Sequence, residues 1–214
     1  MTRKFMLMLS FSSLLLAGCR TAPEGCQWHS LFDGETLDGW KASENKETFT
    51  VRDGMIVVHG PRSHLFYVGP VNDANFTNFE FKADVMTHLG SNSGIYFHTE
   101  YQETGWPAKG YECQVNTTHT DRKKTGGLYG VQDVIDNAPS TDGEWFEYYI
   151  RVEGKHIIIR INGQTTVAWT EPEEPPCASG RRISSGTFCL QGHDPKSIVY
   201  YKNIMIRPLP EHAW

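Results

Sequence analysis

The chain has 214 residues, of which 39% are hydrophobic and 21% charged, and its formal net charge is −5. This length is sufficient for one domain with a full hydrophobic core. A mildly acidic chain without a cluster of basic residues is a poor candidate for a nucleic-acid-binding protein.

Residues 1–18 have the layout of a secretory signal. Arg3 and Lys4 precede an apolar run over 5–16 that is too short to span a bilayer comfortably. The ending LAGC resembles a bacterial lipobox, which implies that Cys19 becomes the lipidated first residue of a protein exported to the cell envelope. Several acyl chains on that residue would anchor the protein to the membrane. The alternative is an ordinary cleaved signal in which the cysteine is a coincidence.

Four further cysteines are present, and an exported protein is free to form disulfides. Cys113 and Cys189 lie inside predicted strands, so we expect them to be buried free thiols. Cys26 and Cys177 lie in loop-like sequence and form the only pair that we consider for a disulfide.

The rest of the chain predicts a tether over 19–29 and then a single domain over 30–210 that is built from short strands. The predicted strand segments are, in order, 49–58, 78–86, 91–98, 109–116, 145–154, 155–161, 164–170, 186–191 and 197–209. Asp53-Gly54 and Asn162-Gly163 are strong signals for tight hairpin turns. No amphipathic segment is long enough for a helix of more than two turns. The pattern therefore predicts an all-β sandwich of two antiparallel sheets.

Three connections are too long for hairpins, over 99–109, 117–144 and 171–185. Loops of this length in a compact domain are usually functional. The first contains Trp106, and the second contains His119, Lys123, Lys124 and Tyr129. We expect them to wall a cleft.

Polar side chains project from one face of three predicted strands, while the opposite face of each strand is apolar. Because side chains alternate along a strand, the polar positions of each strand share a face. They are Glu112 and Gln114, Tyr96 and His98, and Gln191 with His193 just beyond its strand. No standard catalytic motif accompanies them. A solvated sheet face with structural histidines is the alternative to a binding cleft.

Five stretches together resemble the 3-keto-disaccharide hydrolase domain family, over Ser30 to Leu209. They are SLFDGETLDGWK (30–41), NSGIYFH (92–98), GYECQV (110–115), TGGLYGV (125–131) and LQGHD with VYYKNIMIRPL (190–209). The resemblance implies a concanavalin-A-like jelly roll, in agreement with the sandwich predicted from periodicity. It also implies action on sugars whose C3 hydroxyl a separate dehydrogenase has oxidised to a ketone. A base would then remove the acidified C2 proton, and β-elimination would cleave the glycosidic bond, with or without rehydration.

The resemblance further implies roles for individual residues. Glu112 would be the general base or a carboxylate that orients a metal, and Tyr129 a proton or oxyanion donor. His193 and His98 would transfer protons or bind a metal; Glu112 and His193 are the candidate ligands of a divalent ion. The expected substrate-binding residues are Gln114, Asn92, Tyr96, Trp106, Lys124 and Gln191.

Two departures from the family pattern affect these expectations. His98 stands where the family often has arginine, and Gly192-His193-Asp194 replaces the more common Asp-His-Gly order. The rival functions are a non-catalytic, lectin-like carbohydrate-binding lipoprotein and a structural envelope lipoprotein without a ligand, because jelly rolls serve binding as readily as catalysis.

Overall fold

The computed structural model describes residues 27–174 and 181–210, and this part of the chain forms β-strands with two short 3-10 helices, Lys46–Thr48 and Val71–Ala74. The strands are β1 (His29–Ser30), β2 (Trp40–Ala42), β3 (Phe49–Arg52), β4 (Met55–Val58), β5 (Ser63–Tyr67), β6 (Phe79–Thr87), β7 (Asn92–Thr99), β8 (Tyr111–Asn116), β9 (Lys123–Leu128), β10 (Gln132–Ile135), β11 (Phe146–Glu153), β12 (His156–Ile161), β13 (Gln164–Thr170), β14 (Thr187–Gly192) and β15 (Val199–Pro208).

The strands form two antiparallel sheets that pack face to face. The back sheet has the order β13-β12-β11-β6-β15-β4-β3, with β1 also paired to β15. The front sheet has the order β10-β9-β8-β7-β14-β5-β2. The predicted all-β sandwich is confirmed, and its architecture is that of a concanavalin-A-like jelly roll. No helix in the described ranges is both long and apolar enough to cross a membrane.

Both predicted hairpin turns have the backbone geometry that their residues favour. Asp53 and Gly54 have φ of +52° and +76°, and Asn162 and Gly163 have φ of +49° and +78°. Two successive residues with positive φ define the tight turn whose twist matches that of the flanking strands. These turns set the registers of β3 with β4 and of β12 with β13.

The hydrophobic core lies between the sheets and follows the alternation expected from the sequence. The back sheet contributes alternate residues such as Phe79 and Phe81, and the front sheet contributes Ile95 and Val115; all four are fully buried. Cys113 and Cys189 are buried free thiols, as predicted. Residues 1–26 and Cys177 lie outside the described residues, so the signal, the lipidated Cys19 and the Cys26–Cys177 pair stay predictions.

Five strands lie outside the predicted segments: β1, β2, β5, β9 and β10. The expected loop over 117–144 contains β9 and β10, and β5 was not recognised. β9 includes Gly126 and Gly127, which lower its β propensity. β5 has the large apolar or aromatic residues Leu65, Phe66 and Tyr67 in succession, so its sequence lacks the alternation of apolar and polar residues that reveals a strand. β1 also begins at His29, inside the predicted tether.

Candidate active site

A cleft of about 330 Å³ opens on the outer face of the front sheet. Strands β7, β8 and β14 form its floor, and the long connections form its walls. The cleft brings together eight of the ten predicted site residues, which are Asn92, Tyr96, Trp106, Glu112, Gln114, Tyr129, Gln191 and His193. His98 and Lys124 do not line it.

Glu112 lies at the floor of the cleft and is only 5% exposed. It pairs with Tyr96 across β8 and β7, so both side chains project from the same face. The Tyr96 hydroxyl donates to Glu112 Oε2 at 2.8 Å, and Gln191 Nε2 donates to Oε1 at 2.7 Å. A Cβ on Gly94 would lie 2.6 Å from Oε1, so the glycine provides the space in which this carboxylate lies.

Burial raises the pKa of Glu112 above its usual value of 4.5, although the hydrogen bonds from Tyr96 and Gln191 oppose the shift. A carboxylate with a raised pKa is a stronger base than an exposed one. A group of this kind in a cleft is a candidate for proton transfer.

Two amide side chains flank Glu112 and have unused acceptor atoms. Gln114 Nε2 donates to Asn92 Oδ1 at 3.0 Å, while Gln191 Nε2 is occupied by Glu112. The Oε1 atoms of both glutamines are buried and have no hydrogen-bond partner among the described residues. Because buried polar atoms are normally paired, these two acceptors are suited to hydroxyl groups of a bound ligand.

His193 lies at the rim of the cleft and is oriented by a carboxylate. Its Nδ1 lies 2.8 Å from Asp194 Oδ2, which also accepts a 2.8 Å hydrogen bond from the Ser197 hydroxyl. Burial alone would raise the pKa of Asp194, but these hydrogen bonds and one from the Lys196 backbone lower it to about 2. An ionised Asp194 keeps the proton of a neutral His193 on Nδ1, which leaves Nε2 as the atom for proton transfer.

His119, His193 and Asp194 are the described residues whose ligand atoms cluster closely enough to hold a metal ion, within 4.8 Å of one another. His193 has the tautomer that a metal ligand needs. His119 does not, because its Nδ1 accepts the Asp121 backbone N–H at 3.1 Å, so Nε2 carries the proton of the neutral ring. A cation here would require that hydrogen bond to be given up. Glu112, the other predicted ligand, is not part of this cluster.

His98 was expected to face the cleft beside Tyr96, and it does not. Its backbone φ is +54°, and the register between β7 and β14 shifts nearby, so the alternation ends there. The ring is fully buried against Phe79, with Nε2 2.9 Å from the Thr77 carbonyl and Nδ1 accepting the Ser184 N–H at 3.2 Å. Both ring nitrogens are therefore occupied away from the cleft.

Lys124 was also expected at the site, but it stabilises the turn beside it. Its Nζ donates to the His119 carbonyl at 2.7 Å and lies 3.4 Å from Asn116 Oδ1. Tyr129 does line the cleft, and its carbonyl accepts a 2.6 Å hydrogen bond from Arg181 Nη1. The Arg181 guanidinium also lines the cleft and supplies a cation whose field lowers the pKa of Glu112.

Sequence reasoning missed Arg181 and Asp121, which line the cleft, and His64, which lies beside it. Arg181 follows three prolines in a long connection, and Asp121 lies in a turn, so neither had a periodic pattern to place it. His64 lies on the unrecognised strand β5 and is directly paired with Gln191 on β14. No alternation of polar and apolar residues marks β5, so only its pairing with β14 shows that His64 shares a face with Gln191.

The two packed sheets define a protein of the concanavalin-A-like jelly-roll class, with a cleft on the outer face of the front sheet. The chain belongs to the 3-keto-alpha-glucoside-1,2-lyase-like domain family, whose profile matches residues 27–207. A comparison with curated proteins finds no significant match.

Two crystal structures from Parabacteroides distasonis, each described as a "putative glycosyl hydrolase", are similar to this chain. The first has 25% identity and a TM-score of 0.71, covering 86% of this chain and 94% of the other. The second has 23% identity and a TM-score of 0.66, covering 86% and 100%. The carbohydrate-binding module CBM66 from Bacillus subtilis shares the fold alone, at 10% identity and a TM-score of 0.55 over 79% of this chain and 95% of that one.

Proposed function

We propose that this cleft cleaves the glycosidic bond of 3-keto-glycosides by elimination. The observation that carries the proposal is the buried Glu112 carboxylate, which lies at the cleft floor between two glutamines with unpartnered acceptor oxygens. An ordinary glycosidase uses two carboxylates on either side of the bond. Two carboxylates line this cleft, but Asp121 is partly exposed in a turn where it accepts the Lys123 N–H, whereas Glu112 is buried. One buried carboxylate together with a histidine suits proton abstraction next to a ketone.

In the proposed reaction a base removes the proton from C2, and the C2–H electron pair forms an enolate whose charge rests on the C3 oxygen. The enolate then re-forms the ketone, a C1=C2 double bond forms, and the C1–O bond breaks. The leaving oxygen keeps that electron pair and takes a proton from an acid. The products are an unsaturated keto sugar and an alcohol, and subsequent addition of water would make the net reaction a hydrolysis.

The cleft offers one group for each of these tasks. Glu112 would be the base, since its raised pKa strengthens it and its position is at the floor. Arg181 and the Tyr129 hydroxyl would stabilise the enolate oxygen as a cation and a hydrogen-bond donor. His193 in its imidazolium form, with Nδ1–H held by Asp194, would donate its Nε2 proton to the leaving oxygen and be left as the neutral ring.

The proposed reaction defines the substrate, and the predicted lipidation of Cys19 defines the expected location of the protein. The ketone would have to come from a dehydrogenase that oxidises the C3 hydroxyl of a sugar. The predicted lipid on Cys19 would hold the enzyme at the cell envelope, where it would meet glycosides outside the cytoplasm. No role with nucleic acid is proposed, because the chain is acidic overall.

The direct test incubates the protein, beginning after Cys19, with an aryl 3-keto-glucoside and in parallel with the unoxidised aryl glucoside. We expect the aryl alcohol to be released from the keto sugar only. The same assay with a chelator tests whether a metal is required. Release from the unoxidised glucoside at a similar rate would contradict the elimination mechanism.

The alternative is a carbohydrate-binding lipoprotein without catalysis. The fold is compatible with it, because the carbohydrate-binding module CBM66 has the same fold. It predicts that several keto-glycosides stay intact while sugars still bind. Binding would then survive replacement of Glu112, because a lectin-like face does not need a general base.

Replacing Tyr96 by phenylalanine should move the pH dependence of the reaction. The Tyr96 hydroxyl hydrogen-bonds the charged form of Glu112 and lowers its pKa, so its removal raises that pKa further. If the ionised carboxylate is the base, the rise in kcat/KM with pH shifts to higher pH in Tyr96→Phe. Rate profiles measured from pH 4 to 9 for both proteins check this, and a shift to lower pH would contradict the role of Glu112 as base.

A further inference from the structure

One row of side chains across the front sheet holds most of the unsatisfied polar atoms in the described part of the chain. Gln114 on β8 pairs with Gly94 on β7, and Gln191 on β14 pairs with His64 on β5. Gln191 follows Leu190, which pairs with Ile95, so the register places it beside Gly94. Gln114, Gln191 and His64 each have buried polar atoms without a hydrogen-bond partner.

His64 is the least satisfied member of this row. Its side chain is 0% exposed, and neither Nδ1 nor Nε2 has a partner among the described residues. A neutral imidazole has one N–H donor and one acceptor, so two hydrogen-bonding atoms are buried unused. Leaving buried donors and acceptors unpaired is unfavourable. Such an unfavourable arrangement is expected if His64 finds hydrogen-bond partners when a ligand is bound.

Trp106 packs against His64 and lines the cleft, whereas His64 itself does not line it. The two rings lie 5.4 Å apart in an edge arrangement, and Trp106 also lies 5.5 Å from His193 at the cleft rim. Trp106 is 45% exposed, although it lines the cleft. Its loop is braced through Gln102, which hydrogen-bonds three loop backbone groups, so a rotation of the Trp106 side chain does not require the loop to unfold. Half-exposed side chains change rotamer rapidly.

We infer that His64 is the hydrogen-bonding residue of a second sugar subsite, which Trp106 covers in the closed state and uncovers for the leaving-group sugar. This inference rests on the proposed function and extends it. The row from Gln114 to His64 crosses three strand spacings, or about 14 Å, which is a reach suited to two linked sugar rings rather than one. His64 would offer a donor and an acceptor to hydroxyls of the second ring. His193 lies beside Trp106, between the two subsites, where the leaving oxygen would be protonated.

The test compares His64→Leu with the wild type on two substrates, a 3-keto-disaccharide and an aryl 3-keto-glucoside. The aryl group has no hydroxyls to contact His64, so the loss of kcat/KM should be about tenfold larger for the disaccharide. Because leucine removes a buried unsatisfied group, the melting temperature should be equal or higher. The substitution His59→Leu, at an exposed histidine, is a matched control. It should change neither the ratio of kcat/KM between the two substrates nor the melting temperature. Equal losses on both substrates would overturn the inference.

A binding measurement separates failure of the subsite from failure of the proposed reaction. Calorimetry with the unreactive Glu112→Gln protein compares a 3-keto-disaccharide with the free 3-keto-monosaccharide. Tighter binding of the disaccharide, reduced when His64→Leu is added, supports the subsite even if no substrate is cleaved. No preference for the disaccharide overturns it, whatever the activity of the wild type.

Discussion

Replacing Glu112 by glutamine should reduce kcat by about 10²- to 10⁴-fold, the range that a positioned general base contributes. The amide has nearly the same shape and can still accept the Tyr96 hydroxyl, but it cannot take a proton from C2. The neighbouring Gln191 can rotate its amide so that its unpartnered Oε1 accepts from the new N–H group. The substitution therefore removes the base while keeping the cleft assembled.

The same variant should be no less stable than the wild type at pH 8. Because the folded-state pKa of Glu112 is raised above 4.5, the folded protein holds this proton more tightly than the unfolded chain. Its stability therefore falls as pH rises from the unfolded value through the folded one, and glutamine removes that loss. Thermal melts at pH 4 and pH 8 measure the difference, which should be favourable to the variant only at the higher pH.

The control is Glu147→Gln, another strand glutamate, which is exposed on β11 of the back sheet. It should leave both kcat and the melting temperature unchanged. Full activity of Glu112→Gln would assign the base to another group. A large drop in melting temperature at pH 8 would instead show that the charged form of Glu112 stabilises the fold.

The sequence predicted the sandwich because its strongest signals are local. Alternation in burial along β6, alternation of core-facing and cleft-facing residues along β8, and the Asn162-Gly163 turn all depend on neighbours in the chain, and all three were confirmed. β9 and β5 were not predicted because their local signals are weak. Glycines weaken the local preference of β9, and β5 has apolar or aromatic residues in succession, so in each case the partner strands decide the structure.

The candidate site likewise has features that local sequence predicts and features that depend on distant strands. Glu112 and Gln114 were placed together because a period of two fixes the face that they share. The contact of Glu112 with Gln191 depends on β14 lying beside β7, a pairing between distant segments that periodicity cannot show. The prediction that His98 faces the cleft was wrong because its left-handed backbone conformation ends the alternation of β7. The preceding residues contain no signal for that conformation.

Replacing His193 by glutamine should reduce the rate according to how poor the leaving group is. If His193 protonates the leaving oxygen, loss of the acid matters most for an alkyl or sugar alcohol and least for an acidic phenol. We expect about a 10²-fold loss of kcat for a 3-keto-disaccharide and a much smaller loss for a nitrophenyl 3-keto-glucoside. Asp194→Asn should show the same trend more weakly, because it disturbs the tautomer of His193 without removing the ring.

A series of aryl 3-keto-glucosides with phenols of rising pKa distinguishes this role from the others available to His193. The slope of log kcat against phenol pKa should be steeper in His193→Gln than in the wild type, since the wild-type acid offsets developing charge on the oxygen. His64→Leu should not change that slope, because an aryl leaving group has no hydroxyl for His64 to contact, and exposed His59→Gln should behave as the wild type. An equal loss for every phenol would place His193 outside the proton transfer, in a structural or metal-binding role with His119 and Asp194.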